Sequence, residues 1–520
     1  MSAHSAARAQ LPHPNITLAA VCLAVLVVPL SLTGASVALP DIGRDMNADL
    51  VPLQWVVHAY NVVSASFMLA TGSLADLFGR RRLFAMGAAL FSVSSLGCAL
   101  ANNIYLLDVM RGLVGLGTAA VITGGSAILA GFEGPARVRA FAVFGTAVGC
   151  GLAFGPSTSG LLTGAFGWRA AFLSHAILSA VVLLAIPFLT ESRDPNAGRV
   201  DWAGTSTFTL GLFLLTLGLV EGPQLGWASG TVLALLGGFV VLMVLFVVAE
   251  RMQRRPMFDL SLLREARFIA VCVVPVGVAF GFVSLLVLLP SYFIGAKGMS
   301  AGAAGATMLL MTVPVLVVPM ISNRLVRRGV STRVVLSASL LSLAIGGAWL
   351  ALIMDADTRV LTLAAPLLVI GVGQGLSMGL ADGVAIGTVE PGRSGMAAGM
   401  FNTMRLAGEA VAVAALGAVL VSVVAGRLTS GATRFAELSG ADPQSVANNV
   451  ASGDLSAVTG PAFDFLAAGY TEGLRAVLFV AAGLCVVGAA VIYLILAERR
   501  QVTPSARAAM PEPATARPGS

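Results

Sequence analysis

Charge is scarce in this chain and lysine almost missing. Only 11% of its 520 residues are Asp, Glu, Lys or Arg, under half of the roughly 25% typical of soluble domains, so water is excluded as its main solvent. The single lysine, Lys297, follows Ala296. No phosphate-cradling loop ending in Gly-Lys-Ser/Thr can therefore form, which excludes an ATP-driven pump and leaves ion gradients as the energy source. Aromatic residues make up 7% and do not interleave with the basic clusters, which argues against a nucleic-acid surface despite the net charge of +6. The five cysteines (Cys22, Cys98, Cys150, Cys272 and Cys485) lie in apolar runs, without metal-ligand spacing or the even, loop-borne set that implies disulfides. No metal and no cofactor are expected.

What is present is apolar: 57% of the residues are hydrophobic, and the 59 glycines sit inside apolar runs, where small residues let helices approach closely in lipid. A bilayer core of about 30 Å asks for roughly 20 apolar residues per helix. Runs of that kind cover residues 18–39, 55–74, 83–101, 104–130, 141–162 and 170–189, then 203–220 and 229–248. Six more follow at 268–293, 303–321, 334–354, 361–384, 396–424 and 476–496. The reading is an all-α integral membrane protein of fourteen transmembrane helices. Two six-helix bundles (15–190 and 251–498) flank a linker (191–250) that carries two extra central helices.

The segment 1–14 is short and polar, and the run behind it is too long for the h-region of a cleaved signal peptide, about 7–15 residues, so the first span is expected to remain. The tail 499–520 is rich in Pro and Ala and expected to be disordered. The polar stretch 425–470 is either a gate at the outer mouth or an insertion of the kind long loops tolerate. With the N-terminus inside, 22 basic residues fall on cytoplasmic segments, seven on external ones and two within spans. By the positive-inside rule both termini are cytoplasmic.

Residues 72–82 read GSLADLFGRRR. Gly72 allows close helix approach, Asp76 can cap or pair at the helix end, and Arg80, Arg81 and Arg82 suit anionic lipid and helix C-termini. With Gly79 the spacing resembles the loop signature between spans two and three of the major facilitator superfamily, although Leu77 stands where that family often has a basic residue. The resemblance implies a latch on the cytoplasmic face; the plainer alternative is a positive-inside anchor. In the fifth span, Gly145 with Gly149 and Gly151 with Gly155 form small-xxx-small pairs, and Pro156 removes a backbone donor and kinks the helix. Together with Gly160 they resemble the signature of the antiporter branch of that superfamily; ordinary close packing is the alternative.

Further matches extend the likeness over most of the chain: Gln54, Trp55 and Tyr60; Arg111 with Gly115 and Gly117; Trp168 with Arg169; Asp201 with Gly204. Together with the fourteen runs they resemble the fourteen-span drug:proton antiporter group. That resemblance implies a monomer in the cell membrane that exports a drug, antibiotic or metabolite in exchange for protons, by alternating access, with protons and lipid as its partners.

Proton coupling needs an intramembrane ionisable group, and each one at a helix centre costs roughly 2.5–3.5 kcal/mol. Glu409, near the middle of the thirteenth span, is the first candidate and Asp382 in the twelfth the second. Arg405, four residues before Glu409 on the same face, offers the plainer alternative of an ion pair that neutralises Glu409 in place; in a merged reading, proton arrival at Glu409 frees Arg405. Asp382 has the alternative role of a helix-end cap. Arg111 resembles the arginine tied to proton coupling in the family, or pairs structurally with Asp108. The family commonly carries an acid in the first span; Ser31 and Ser36 occupy that region here, and Ser31 cannot titrate. His58 and His175 are either proton-sensing groups or structural ones. Residues 375–379 match the Gly-x-Ser-x-Gly elbow around Ser377, but that elbow needs a strand-turn-helix context, so a hydrolase is a remote reading. A uniporter or importer of one metabolite is the nearer alternative.

Overall fold

The computed structural model describes residues 13–48, 50–132, 134–192, 201–253, 262–355, 358–387, 394–431, 443–453, 455 and 458–496. Nearly all of the two expected tails lies outside them. Among the described residues all regular structure is helical.

Helix α1 (Pro14–Met46) opens on a proline, whose missing N–H is an orphan there in any case, and ends at Asn47 in the left-handed region with φ 47°. It is followed by α2 (Leu50–Phe78), α3 (Arg80–Leu100), α4 (Ile104–Leu129), α5 (Gly134–Phe166) and α6 (Trp168–Ala185). The Asn103 side chain caps α4 by accepting from the Leu106 N–H. Asp201 caps α7 (Trp202–Leu225) through the Gly204 N–H, and Ser229 caps α8 (Gly230–Met252) through that of Val232. Next, α9 (Ala266–Val278) runs through a π-helical turn, Ala279–Val283, into α10 (Ser284–Gly295). The rest are α11 (Ala301–Thr312), α12 (Pro314–Arg327), α13 (Thr332–Ile353), α14 (Val360–Ser377), α15 (Leu380–Gly387), α16 (Ser394–Gly431), α17 (Pro443–Ser452) and α18 (Gly460–Ile495).

Two buried cores divide the chain. One gathers Tyr60, Phe84, Phe91 and Phe172 among α1–α6, the other Phe268, Phe282, Tyr292 and Tyr470 among α9–α18. Lipid offers no hydrophobic drive for helices to associate, so contact rests on close packing of small residues. The α3–α4 contact is of that kind: a Cβ on Gly117 would lie 2.8 Å from the Phe91 backbone nitrogen, and one on Gly87 2.9 Å from that of Val121. The periphery is apolar, as lipid exposure requires. On α8 only Val232, Phe246 and Glu250 are buried.

Among the described residues, twelve helical stretches are long and apolar enough to cross a bilayer, and thirteen if the two parts of α5 count as one span, against the fourteen expected. The α5 run divides into 139–152 and 154–166, bent by 40°. Pro156 explains the site of the break: it has no N–H for the Leu152 carbonyl and its ring crowds that oxygen. Helix α2, 29 residues long, includes side chains outside the described set and is not among the twelve. Nor are both extra helices central: α7 packs on α2 and α16, while α8 packs chiefly on α7. The stretch 425–470 is largely helical, since α16 runs on to Gly431 and α18 starts at Gly460. Between them α17 buries Ala447, Asn448 and Val450 and touches α16, α2 and α10.

Candidate functional site

The cluster Arg80–Arg82 marks one end of the bundle. Gly79, with φ 110°, turns the chain between α2 and α3 in a region where a side chain is strained. The Arg80 N–H donates to the Ser192 carbonyl at 2.9 Å and the Arg81 N–H to Glu191 Oε1 at 3.1 Å. The Arg82 guanidinium lies 3.7 Å from Glu191 Oε2, and Arg80 Nη1 reaches the Ala127 carbonyl at 3.4 Å. These contacts stay within the first half of the chain. Gly72 meets no foreign atom within 4 Å, and the Asp76 side chain lies outside the described set. Glu191 is the organising acid of this end; in the sequence it opens the linker 191–250, with no motif to single it out.

Toward the opposite end the two halves meet where α5 crosses α11. Ser157 Oγ donates to the Gly305 carbonyl at 2.7 Å. A Cβ on Gly305 would lie 2.6 Å from the Pro156 carbonyl oxygen, and one on Gly160 would collide with the Ala301 carbonyl. Within the first half, Gly151 lies against the Leu26 carbonyl and the Pro29 ring, and Gly155 against the Thr33 hydroxyl. The glycines of the fifth span therefore split their work, some seating α5 on α1 and others closing the seam to α11. Ser36 adds a second bond across the halves, donating to the Leu286 carbonyl at 3.2 Å. Ser157 was missed in the sequence; its signal was a hydroxyl placed directly after a helix-bending proline.

Arg111 is fully buried. Its Nε donates to the Val56 carbonyl at 2.6 Å and its Nη1 to Ser31 Oγ at 3.0 Å, while the guanidinium stacks 4.6 Å from the Tyr60 ring centroid. No ion pair joins it to Asp108 among the described residues, contrary to the structural alternative. His175 is buried among the same helices, and its Nδ1 has no partner; the same holds for His58 on α2.

In the second half, Arg405 takes a partner other than Glu409. Arg405 lies 3.6 Å from Asp382 Oδ1, both side chains partly exposed. The cause is the break after Ser377, where Gly379 with φ 73° ends α14 and redirects α15 so that Asp382 faces α16. Glu409 is partly buried and makes no hydrogen bond or ion pair among the described residues. It adjoins Ala410, which packs with Ala65 of α2 and Leu212 of α7, and lies within electrostatic range of Tyr60. One turn further along α16, Val413 helps line a cavity of about 60 Å³, together with Gln54, His58, Ser291 and Ala451. Ser377 Oγ donates to the Gln374 carbonyl at 3.0 Å inside a helix, so no nucleophile elbow exists there. Among the described residues no group of three metal-ligating side chains occurs.

The sequence model of the family described as Major Facilitator Superfamily matches residues 21–413. "Multidrug resistance protein Stp" of Mycobacterium tuberculosis is 32% identical over 410 residues, 78% of this chain and 76% of that protein. "Drug efflux pump JefA" of the same organism is 32% identical over 416 residues, 79% and 81% of the two chains. The "Probable actinorhodin transporter" of Streptomyces coelicolor is 31% identical, over 76% and 71%. Among solved structures, a bacterial homologue of the human lysosomal transporter Spinster, inward-facing and unoccupied, superposes with TM-score 0.64 at 16% identity over 94% of this chain and 98% of that one. The likeness to that structure concerns the fold alone.

Proposed function

The chain belongs to the major facilitator superfamily, and we propose that it is a secondary active transporter that exports small organic molecules in exchange for protons by alternating access. The observation that carries the reading is Glu409, an acid in a membrane-spanning helix, without an ion-pair partner among the described residues, at the contact of α16 with α2. An intramembrane acid is costly unless it has work to do. The names of the relatives, a multidrug resistance protein, a drug efflux pump and a probable actinorhodin transporter, support the direction of transport and the substrate class.

In this reading α2 and the bent α5 each cross the bilayer, which makes fourteen spans, both termini are cytoplasmic, and the protein works as a monomer in the cell membrane. The arginine end then faces the cytoplasm and the α5–α11 seam faces outward. Substrate enters between the halves from the cytoplasm or inner leaflet, and a proton from outside neutralises Glu409, or Asp382 held by Arg405, as the seam opens. One proton crossing about 100 mV supplies roughly 2.3 kcal/mol, enough for a substrate gradient of about 40–50-fold. Ser31, in place of a titrating group, favours one second reading, a uniporter or importer.

The test is substrate flux in proteoliposomes: labelled candidate compounds accumulate against their gradient only when a pH gradient is imposed. Entry that stops at equal concentrations on the two sides, with or without a pH gradient, supports the uniporter.

A further inference from the structure

Among the described residues no acid lies within ion-pair distance of the Arg111 guanidinium in this conformation. Its side chain is fully buried, and both of its acceptors, Ser31 Oγ and the Val56 carbonyl, are neutral. The remaining nitrogen, Nη2, is buried without a partner among the described residues. One turn earlier on α4 stands Asp108, whose Oδ1 is likewise buried without a partner. Residues three apart on a helix are neighbours on its surface. Two opposite charges, each with an orphan atom, therefore sit on neighbouring turns of one helix and unjoined; Arg111 is fully buried, where an uncompensated charge is strongly disfavoured, and Asp108 is partly buried nearer the helix end.

We propose that Asp108 is a proton-binding carboxylate that supplies the counter-charge Ser31 cannot give to Arg111, forming an ion pair with it in one conformation and releasing it on protonation in the other. The proposal deepens the proton-exchange reading and rests on it. In the paired state the Asp108 carboxylate accepts from Arg111 Nη2. A proton from external water binds the carboxylate, an O–H bond forms, the pair breaks, and Arg111 keeps Ser31 and Val56 as its acceptors, the arrangement observed. When the carboxyl gives its proton to cytoplasmic water, the pair re-forms. One proton crosses and no electron is transferred.

The other ionisable groups on the surrounding helices leave this role to Asp108. On α1, Asp45 is held by Arg169 of α6 and Asp41 by Arg44. Tyr60 of α2 gives Arg111 its ring face while its hydroxyl donates to the Val28 carbonyl. His58 of α2, His175 of α6 and Cys98 of α3 carry no negative charge when neutral. Arg139 lies at the arginine end of α5, and Glu409 stands across the interface on α16.

The experiment is an infrared pH titration of the purified full-length protein in lipid, which reads the carbonyl band of protonated carboxylic acids and needs no substrate. Asp108→Asn removes one component that Glu409→Gln retains, and Ser31→Asp in the Asp108→Asn background restores a titrating component, because a carboxylate at position 31 meets Arg111 Nη1. In vesicles, proton exchange driven by the compounds that the wild type moves falls by more than about tenfold in Asp108→Asn and returns to within about threefold in the double variant. An Asp108→Asn spectrum identical to wild type overturns the proposal. So does exchange at the wild-type rate in that variant, which leaves the antiport reading standing. If the band disappears while the wild type moves compound without protons, the antiport reading falls and the assignment of the proton site holds. Asp108→Glu, which keeps the acid and displaces the band, covers the case in which the asparagine variant does not fold.

Discussion

Replacing Gly305 by alanine tests whether the α5–α11 seam sets the conformational balance. The new Cβ would lie 2.6 Å from the Pro156 carbonyl oxygen and 3.0 Å from Ser157 Cα, both backbone, so no side chain can swing aside. Reaching ordinary contact near 3.4 Å requires the helices to part by roughly 0.8 Å, and overpacking of this size costs about 1–3 kcal/mol. The intrinsic preference of alanine over glycine in helices, about 1 kcal/mol, applies equally to both conformations and cancels. The strain acts only while the seam is closed, so the population with the seam open rises by about 5–150-fold. The assay is the rate at which a membrane-impermeant maleimide modifies Ala301→Cys, a buried position in the seam, in a background lacking the five native cysteines. Gly302→Ala is the control, since its Cβ would meet only the Gly160 carbonyl, at 3.9 Å. Equal modification rates in Gly305→Ala and the control, both folded, would refute the reasoning.

Three further outcomes follow from contacts of the same kind. Ser157→Ala removes the 2.7 Å bond to the Gly305 carbonyl; at about 0.5–1.5 kcal/mol it opens the seam in the same direction as Gly305→Ala but less, read by the same maleimide rate. Gly117→Ala forces α3 and α4 apart in every conformation, since its Cβ would lie 2.8 Å from the Phe91 nitrogen; it lowers stability by about 1–3 kcal/mol, seen as a reduced thermal midpoint in detergent. Arg405→Gln breaks the 3.6 Å pair with a partly exposed Asp382, so the thermal midpoint changes by no more than a surface pair is worth, about 0–1 kcal/mol; a large loss of stability would show that the pair is buried in a conformation other than this one.

Spans were legible wherever an apolar run coincides with an unbroken helix, because 20 apolar residues admit few structures in lipid. The count departs from fourteen by two spans: Pro156 bends α5, and α2 includes side chains outside the described set. The glycines of the fifth span were legible as close-packing residues, but not which helix each one meets, since Gly155 seats on Thr33 of α1 and Gly160 on Ala301 of α11. Helical spacing put Arg405 on the face of Glu409 correctly, yet the partner it takes is Asp382, brought in by the left-handed turn at Gly379, and a period-based argument cannot see that turn. The same holds for Arg111, whose acceptors come from α1 and α2, 80 and 55 residues away. Helix α17 was hidden because its polar, small-residue composition resembles a loop.

The most direct test of proton-driven export is the pH inside inverted membrane vesicles, energised to be acidic, when candidate compounds are added to wild type and to Glu409→Gln. Exchange of compound for protons predicts an alkalinisation that depends on the compound in wild type and is absent from the variant. Movement of labelled compound with no proton flux in either would contradict the account.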